Sequence, residues 1–185
     1  MNEFEIKILD FIQQTVGCKA MDFIMPYVSM LGDYGILCIA VSLVLIIIPK
    51  TRKTGLQSGL ALLIGFILCN LIFKPLIFRV RPYYVNTDFV PIIARLTDGS
   101  FPSGHSLALF ETATVFAVND KRFGIPALIA AAAVSFSRLY LYAHYPTDVL
   151  AGILLGIAVG FFSIWLVNKG YKIYNEKKLG KEHHI

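Results

Sequence analysis

Charge is what this sequence has least of. Asp, Glu, Lys and Arg make up 16% of 185 residues, against 56% hydrophobic, and the mean hydropathy is +0.66. A water-soluble domain of this size cannot hide so much apolar matter, so the composition reads as that of a membrane protein. Cysteine is scarce and badly spaced for chemistry: Cys18, Cys38 and Cys69 form no CxxC or metal-type pattern. Neither a disulfide framework nor a zinc site is expected. Linkers, low-complexity tracts and repeats are missing too. One crossing consumes about 20 residues, so five leave only short loops and no room for a second globular domain. The N-terminus lacks the order of a signal peptide, because Glu3, Glu5, Lys7 and Asp10 interrupt its apolar residues, and no cleavage is expected.

What is present is a series of apolar runs. Uncharged or nearly uncharged stretches cover Tyr34 to Pro49, Thr54 to Phe73, Ser103 to Asn119 (with Glu111 inside it), Gly124 to Tyr142 and Asp148 to Asn168. These predict an all-α polytopic transmembrane helix bundle with five clear spans. In residues 1–33, Phe4, Ile8, Phe11 and Ile12 recur at helical spacing with polar residues between them. That pattern suits an interfacial helix or one packed on the bundle, and a sixth span is the alternative. The chain is thus expected to form one integral membrane domain, with an amphipathic segment at 1–33, a transmembrane core at 34–168 and a basic cytoplasmic tail at 169–185.

The net charge of +5 would fit a nucleic-acid binder, but the placement of the basic residues points to a bilayer instead. If the first span ends inside at Lys50, Arg52 and Lys53, alternation puts Lys121, Arg122 and the tail lysines 169, 172, 177, 178 and 181 on the same side. That accounts for ten of the seventeen. Lys7, Lys19, Lys74, Arg79, Arg81, Arg95 and Arg138 fall outside, and most of them sit at span ends where positive charge is disfavoured. Something at the outer face needs cations.

Three strings supply the reason. Lys74-Pro-Leu-Ile-Phe-Arg-Val-Arg81-Pro82 follows the second span, Phe101-Pro102-Ser103-Gly104-His105 opens the third, and Ser137-Arg138-x5-His144-x3-Asp148 joins the fourth to the fifth. All three reach one membrane face, and phosphate chemistry has work for each group. Pro102-Ser103-Gly104 is a helix start whose free N–H groups and dipole face an anion, with Ser103 able to cap and Gly104 allowing close approach. Lys74, Arg81 and Arg138 can surround the oxygens of a transferring phosphoryl group and stabilise the charge that spreads over them. His144 can attack phosphorus if its other ring nitrogen is held by a carboxylate, for which Asp148 is the candidate. His105 is then free to protonate the leaving oxygen. No metal or other cofactor is expected, because side chains provide the charge.

Together the strings resemble the signature of the type-2 phosphatidic acid phosphatase family, the membrane lipid phosphate phosphatases related in their sites to glucose-6-phosphatase and the vanadium haloperoxidases. The patterns Lys-x6-Arg-Pro, Pro-Ser-Gly-His and Ser-Arg-x5-His-x3-Asp are complete and in order over Lys74 to Asp148, 75 of 185 residues. The resemblance implies a metal-independent phosphohydrolase with a phosphohistidine on His144, His105 as acid then base, Asp148 as orienting partner, and Lys74, Arg81, Ser103, Gly104 and Arg138 binding phosphate. It also implies a six-helix core, where five firm crossings are counted here. The substrates it suggests are phosphatidic acid, phosphatidylglycerol phosphate or undecaprenyl pyrophosphate. The expected protein is of bacterial type and lies in the cell membrane, its site facing outside and its C-terminus cytoplasmic. The partners are the lipid substrate and the bilayer, with no nucleic acid; the sequence does not speak to oligomeric state. A phosphotransferase using the same phosphohistidine is the alternative, and a transporter, which would put its charges near the midplane, a weaker one.

Other residues carry lesser expectations. Arg79 and Arg95 are assigned to lipid headgroups, with the transferred phosphoryl as the alternative for Arg79; Glu111 is assigned to a buried hydrogen bond, with proton movement or headgroup choice as the alternative; and Tyr83, Tyr84, Tyr140, Tyr142 and Tyr145 mostly to an outer aromatic belt. Gly152, Gly156 and Gly160 form a small-residue face for packing within the chain.

Overall fold

The computed structural model describes residues 3–182, which are helical with connecting loops. Helix α1 covers Glu3–Val16 and α2 covers Lys19–Met30; a 3-10 turn at Asp33–Gly35 leads into α3, Ile36–Ile47. Helix α4, Arg52–Phe66, continues through a π-helical turn at Ile67–Phe73 into the short α5, Lys74–Leu76. After α6, Pro82–Val85, and a long loop come α7, Gly104–Asn119, α8, Lys121–Tyr140, and α9, Pro146–Glu182. Four helical runs are long and apolar enough to cross a membrane: Lys19–Ile47, Arg52–Leu76, Lys121–Tyr140 and Pro146–Lys177. Helix α7, at 16 residues, is shorter and sits at the centre of the bundle, against α4, α8 and α9.

The glycines of α9 explain how closely it approaches α7. A Cβ at Gly152 would stand 2.6 Å from the carbonyl oxygen of Ser103, one at Gly156 2.7 Å from that of Leu107, and one at Gly160 2.8 Å from the Thr114 side chain. The small-residue face therefore packs inside the chain, where dispersion between close backbones replaces the hydrophobic drive that lipid removes. The other end of the site is fixed by a kink. Tyr34 and Gly35 both have positive φ, 52° and 64°, a conformation that favours glycine and strains tyrosine. It bends the α2–α3 run at the level of His105, whose ring lies where a side chain on Gly32 would go.

Two sequence expectations change here. The first apolar run does not begin a helix of its own at Tyr34, since α2 and α3 form one bent run from Lys19; Pro26 lies inside it. The tail from 169 continues α9 as helix to Glu182, and His183 and His184 lie outside the described residues. Helix α1 is amphipathic as read, and its Leu9 is fully buried against Tyr83, Tyr142 and Ala143.

The tyrosine belt is also corrected. Tyr83, Tyr140, Tyr142 and Tyr145 are fully buried; of the five, Tyr84 alone is exposed. Three of the buried hydroxyls have partners inside: Tyr140 donates to Asp22 over 2.6 Å, Tyr142 donates to Asp10, and the Leu96 N–H donates to Tyr83 over 2.8 Å, while the Tyr145 hydroxyl has none. Aromatic rings with polar tips thus make the core of a cap formed by α1, α2 and the 86–101 loop, because a buried hydroxyl needs a partner and these acids and backbone groups provide it.

Candidate active site

Lys74, Arg81, Gly104, His105, Arg138 and His144 line one cavity of about 960 Å³. The three strings meet because α5, the start of α7 and the α8–α9 turn lie at the same end of the bundle. Ser103 and Asp148 are fully buried just behind that wall. Ser103 caps α7, accepting the Ser106 N–H over 3.4 Å, while its own N–H donates to the carbonyl of Asp148 over 3.0 Å. A hydroxyl chain continues from it, with Ser106 Oγ 3.1 Å from Ser103 Oγ and Ser135 Oγ 2.9 Å from Ser106 Oγ. This chain ties the N-terminus of α7 to α8, and the first two residues of that helix, Gly104 and His105, line the cavity.

His144 is 2% exposed and held at both nitrogens. Nδ1 lies 2.7 Å from the carbonyl oxygen of Ser100. A carbonyl only accepts, so Nδ1 carries the proton and Nε2 the lone pair. Nε2 lies 3.2 Å from Nη1 of Arg81, and both residues line the cavity. Asp148 was expected to accept from Nδ1, but its Oδ2 stands 3.8 Å away, beyond hydrogen-bond range, and instead accepts the Tyr145 N–H over 2.9 Å. The Ser100 carbonyl fixes the tautomer; the Asp148 carboxylate supplies negative charge one step further back. Burial pushes the His144 imidazole down to about 3, with Arg81 and Arg138 adding to the effect and Asp148 opposing it.

The cations are held in different ways. Arg81 is 2% exposed and donates to the carbonyls of Asp98 (3.1 Å), Ala143 (2.9 Å) and Gly99 (3.4 Å), as well as to Asp98 Oδ1 (2.7 Å). Lys74 forms an ion pair with the other oxygen of the same carboxylate. Asp98 therefore bridges two of the three cations that line the cavity, which hold its carboxyl down at about 2 despite partial burial. Arg138 is different: Nη1 donates to Ser29 Oγ, but Nε and Nη2 are buried with no partner. Unsatisfied donors on a buried cation are costly, and these belong to a side chain lining the cavity.

Four side chains that bear on the site were not legible as such. Asp33, in the kink, lies 2.8 Å from His105 Nε2. Asp98 has just been described. Arg79, expected at lipid headgroups, instead donates to Asp148 Oδ1 over 2.6 Å and to Thr147 Oγ1 over 2.7 Å, pairs with Glu5, and lies 3.8 Å over the Tyr145 ring. Glu5, on α1, also accepts from the N–H and hydroxyl of Thr147, at 3.1 and 2.6 Å. Arg79 stands inside the first string at a position its pattern leaves open, and no fixed spacing links the other three to the strings. The one signal available was burial: an acid at helix position 5 among apolar neighbours needs a cation.

The comparisons agree with this layout. The model of the PAP2 superfamily matches residues 54–172, from the start of α4 into α9. The undecaprenyl-diphosphatase of Sulfolobus acidocaldarius is 34% identical over 71% of this chain and 64% of its own length. Phosphatidylglycerophosphatase B of Bacillus subtilis is 34% identical over 68% of this chain and 64% of its own. This chain therefore spans somewhat less than two thirds of the length of these two relatives. A solved transmembrane PAP2-type phosphatidylglycerolphosphate phosphatase from Bacillus subtilis superposes with a TM-score of 0.73 at 27% identity, covering 90% of this chain and 85% of that one. The family match takes in all three strings and more than half of the chain, and on it the chain belongs to the PAP2 superfamily.

Proposed function

We propose that this protein is an integral membrane phosphatase that removes a phosphoryl group from a lipid phosphate or diphosphate at the outer membrane interface. The observation that carries the reading is Arg138, a buried guanidinium with two unpartnered donor nitrogens, lining the cavity that also holds His105 and His144. An anion with several oxygens satisfies such a group, and Lys74, Arg81 and the first turn of α7 complete a cradle for it. The same cavity continues between α3, α4 and α7 along Leu43, Ile46, Leu62, Leu63 and Phe66, which suits a substrate with an apolar tail.

In the proposed mechanism, Nε2 of His144 attacks phosphorus while the bond from phosphorus to the leaving oxygen breaks, and His105 gives that oxygen a proton. The imidazolium that forms is held by the Ser100 carbonyl and faced by the Asp148 carboxylate. Water then gives its proton to His105 and attacks the phosphohistidine, and the P–N bond electrons return to His144. Lys74, Arg81 and Arg138 hold the phosphoryl oxygens through both steps. The relatives, an undecaprenyl-diphosphatase and a phosphatidylglycerophosphatase, support phosphate and diphosphate lipids of those two kinds as substrates. The basic inner residues support a cytoplasmic C-terminus.

The test is phosphate release by the purified protein in detergent with EDTA, over lipid mono- and diphosphates. We expect release without added metal, inhibition by vanadate, and a loss of more than about 10³-fold in His144→Ala. An alkyl phosphate formed on adding an acceptor alcohol, with no free phosphate in its absence, identifies a phosphotransferase. Near-normal rates in His144→Ala overturn the nucleophile.

A further inference from the structure

Glu111 is the one acid within the third apolar run, and the mechanism has no use for it. It is 1% exposed and lines the same cavity as the two histidines. The buried hydrogen bond expected from the sequence is not there: Oε2 has no partner, and among the described residues no cation lies within ion-pair distance of the carboxyl. The site makes room for it nonetheless. Gly65 on α4 lies so close that a Cβ there would stand 2.1 Å from Glu111 Oε2. A lone carboxylate is penalised in an apolar surround, whereas the protonated form has one O–H to donate and needs an acceptor.

Position decides which acceptor. Glu111 lies six residues after His105 on α7, about 9 Å further along the helix axis, where the cavity passes from its charged end to its apolar groove. A lipid whose phosphate sits among Lys74, Arg81 and Arg138 and whose chain follows Leu62 and Leu63 passes this point a few bonds beyond its phosphorus. In an acylated glycerol phosphate, that stretch carries ester carbonyls. In a polyprenyl or ether-linked lipid, it carries no carbonyl.

We propose that Glu111 is a specificity residue that donates a hydrogen bond to an acyl ester carbonyl of a glycerolipid phosphate; this rests on the phosphatase reading above. The experiment compares diacyl glycerol phosphate with its dialkyl ether analogue of equal chain length, on the purified full chain in detergent. The wild type is expected to favour the ester by about fivefold in kcat/KM, the worth of one net hydrogen bond. Glu111→Met should bring the ester down to the rate of the ether and leave the ether unchanged, while Glu111→Gln, which keeps a donor, should retain part of the preference. Equal rates on ester and ether by the wild type overturn the inference without any variant. So does a Glu111→Met protein that keeps the ratio, or that loses both substrates alike while folded. Release from neither lipid, with release from a polyprenyl diphosphate, also overturns the inference; release from none of the three overturns the phosphatase reading itself, a different result.

Discussion

Asp33 Oδ1 lies 2.8 Å from Nε2 of His105, joining the kink between α2 and α3 to the first turn of α7. The carboxylate accepts, so Nε2 donates, and Nδ1 is left as the nitrogen that can serve the leaving oxygen. Tyr34 and Gly35 hold the bend with positive φ, so backbone geometry fixes where this acid stands.

Asp33 is therefore expected to position His105 and support its protonated form. Asp33→Asn should lower turnover of an alkyl or lipid phosphate by about 10- to 100-fold, and much less with p-nitrophenyl phosphate, whose leaving group needs little proton help. Paired rate measurements on the two substrates check this. An equal loss on both means that Asp33 serves the fold alone.

Asp98 occupies oxygen-accepting positions on Lys74 and Arg81 that a phosphoryl group would share. Three backbone carbonyls also hold Arg81, so the arginine keeps its place without the carboxylate. Asp98→Asn should then tighten inhibition by inorganic phosphate and vanadate by about three- to tenfold, as one negative charge leaves the cradle. Inhibition constants for the two proteins decide it; weaker inhibition in the variant counts against a competing role.

Glu5 anchors α1 over the site by pairing with Arg79 and accepting twice from Thr147. Glu5→Ala leaves Arg79 with Asp148 as its remaining carboxylate partner and should cost about 1–3 kcal/mol of stability, read from thermal melting in detergent. Turnover should fall as well, since Arg79 and Asp148 sit directly behind His144.

The pH dependence follows from His144. Its folded pKa, about 3, lies below the ordinary value of 6.5, so between those limits the unfolded chain binds the extra proton. Stability must rise with pH across that window and fall as pH drops from about 6.5 toward 3. Asp98, lowered from 3.8 to about 2, contributes stability that is present above 3.8 and lost as pH falls through about 2. Melting temperatures between pH 4 and 7 should slope less in His144→Gln than in the wild type. Parallel slopes show that His144 is not the group responsible.

Recognition of the chemistry was possible from the sequence because the three strings are local. Lys74 and Arg81 share one span end, Ser103 to His105 one helix start, and Arg138 to Asp148 one turn. Apolar runs also located α4, α7, α8 and α9, since lipid demands long uncharged helices. The tyrosines misled because an aromatic ring near an interface looks the same in sequence whether it faces lipid or a buried acid. Arg79 misled for the same reason: its partners lie 74 residues before it, at Glu5, and 69 after it, at Asp148.

By itself, then, the order of residues determined that this is a helical membrane protein and which side chains form the three strings of the cavity, because hydropathy and short motifs are properties of neighbouring positions. Only the tertiary structure decided that Ser100 rather than Asp148 holds His144 directly, that Asp33 faces His105, that Asp98 bridges Lys74 and Arg81, and that Glu111 stands without a partner. Those are contacts between distant segments, made at distances of a few ångströms that depend on how a kinked helix, a loop and three packed helices settle against one another.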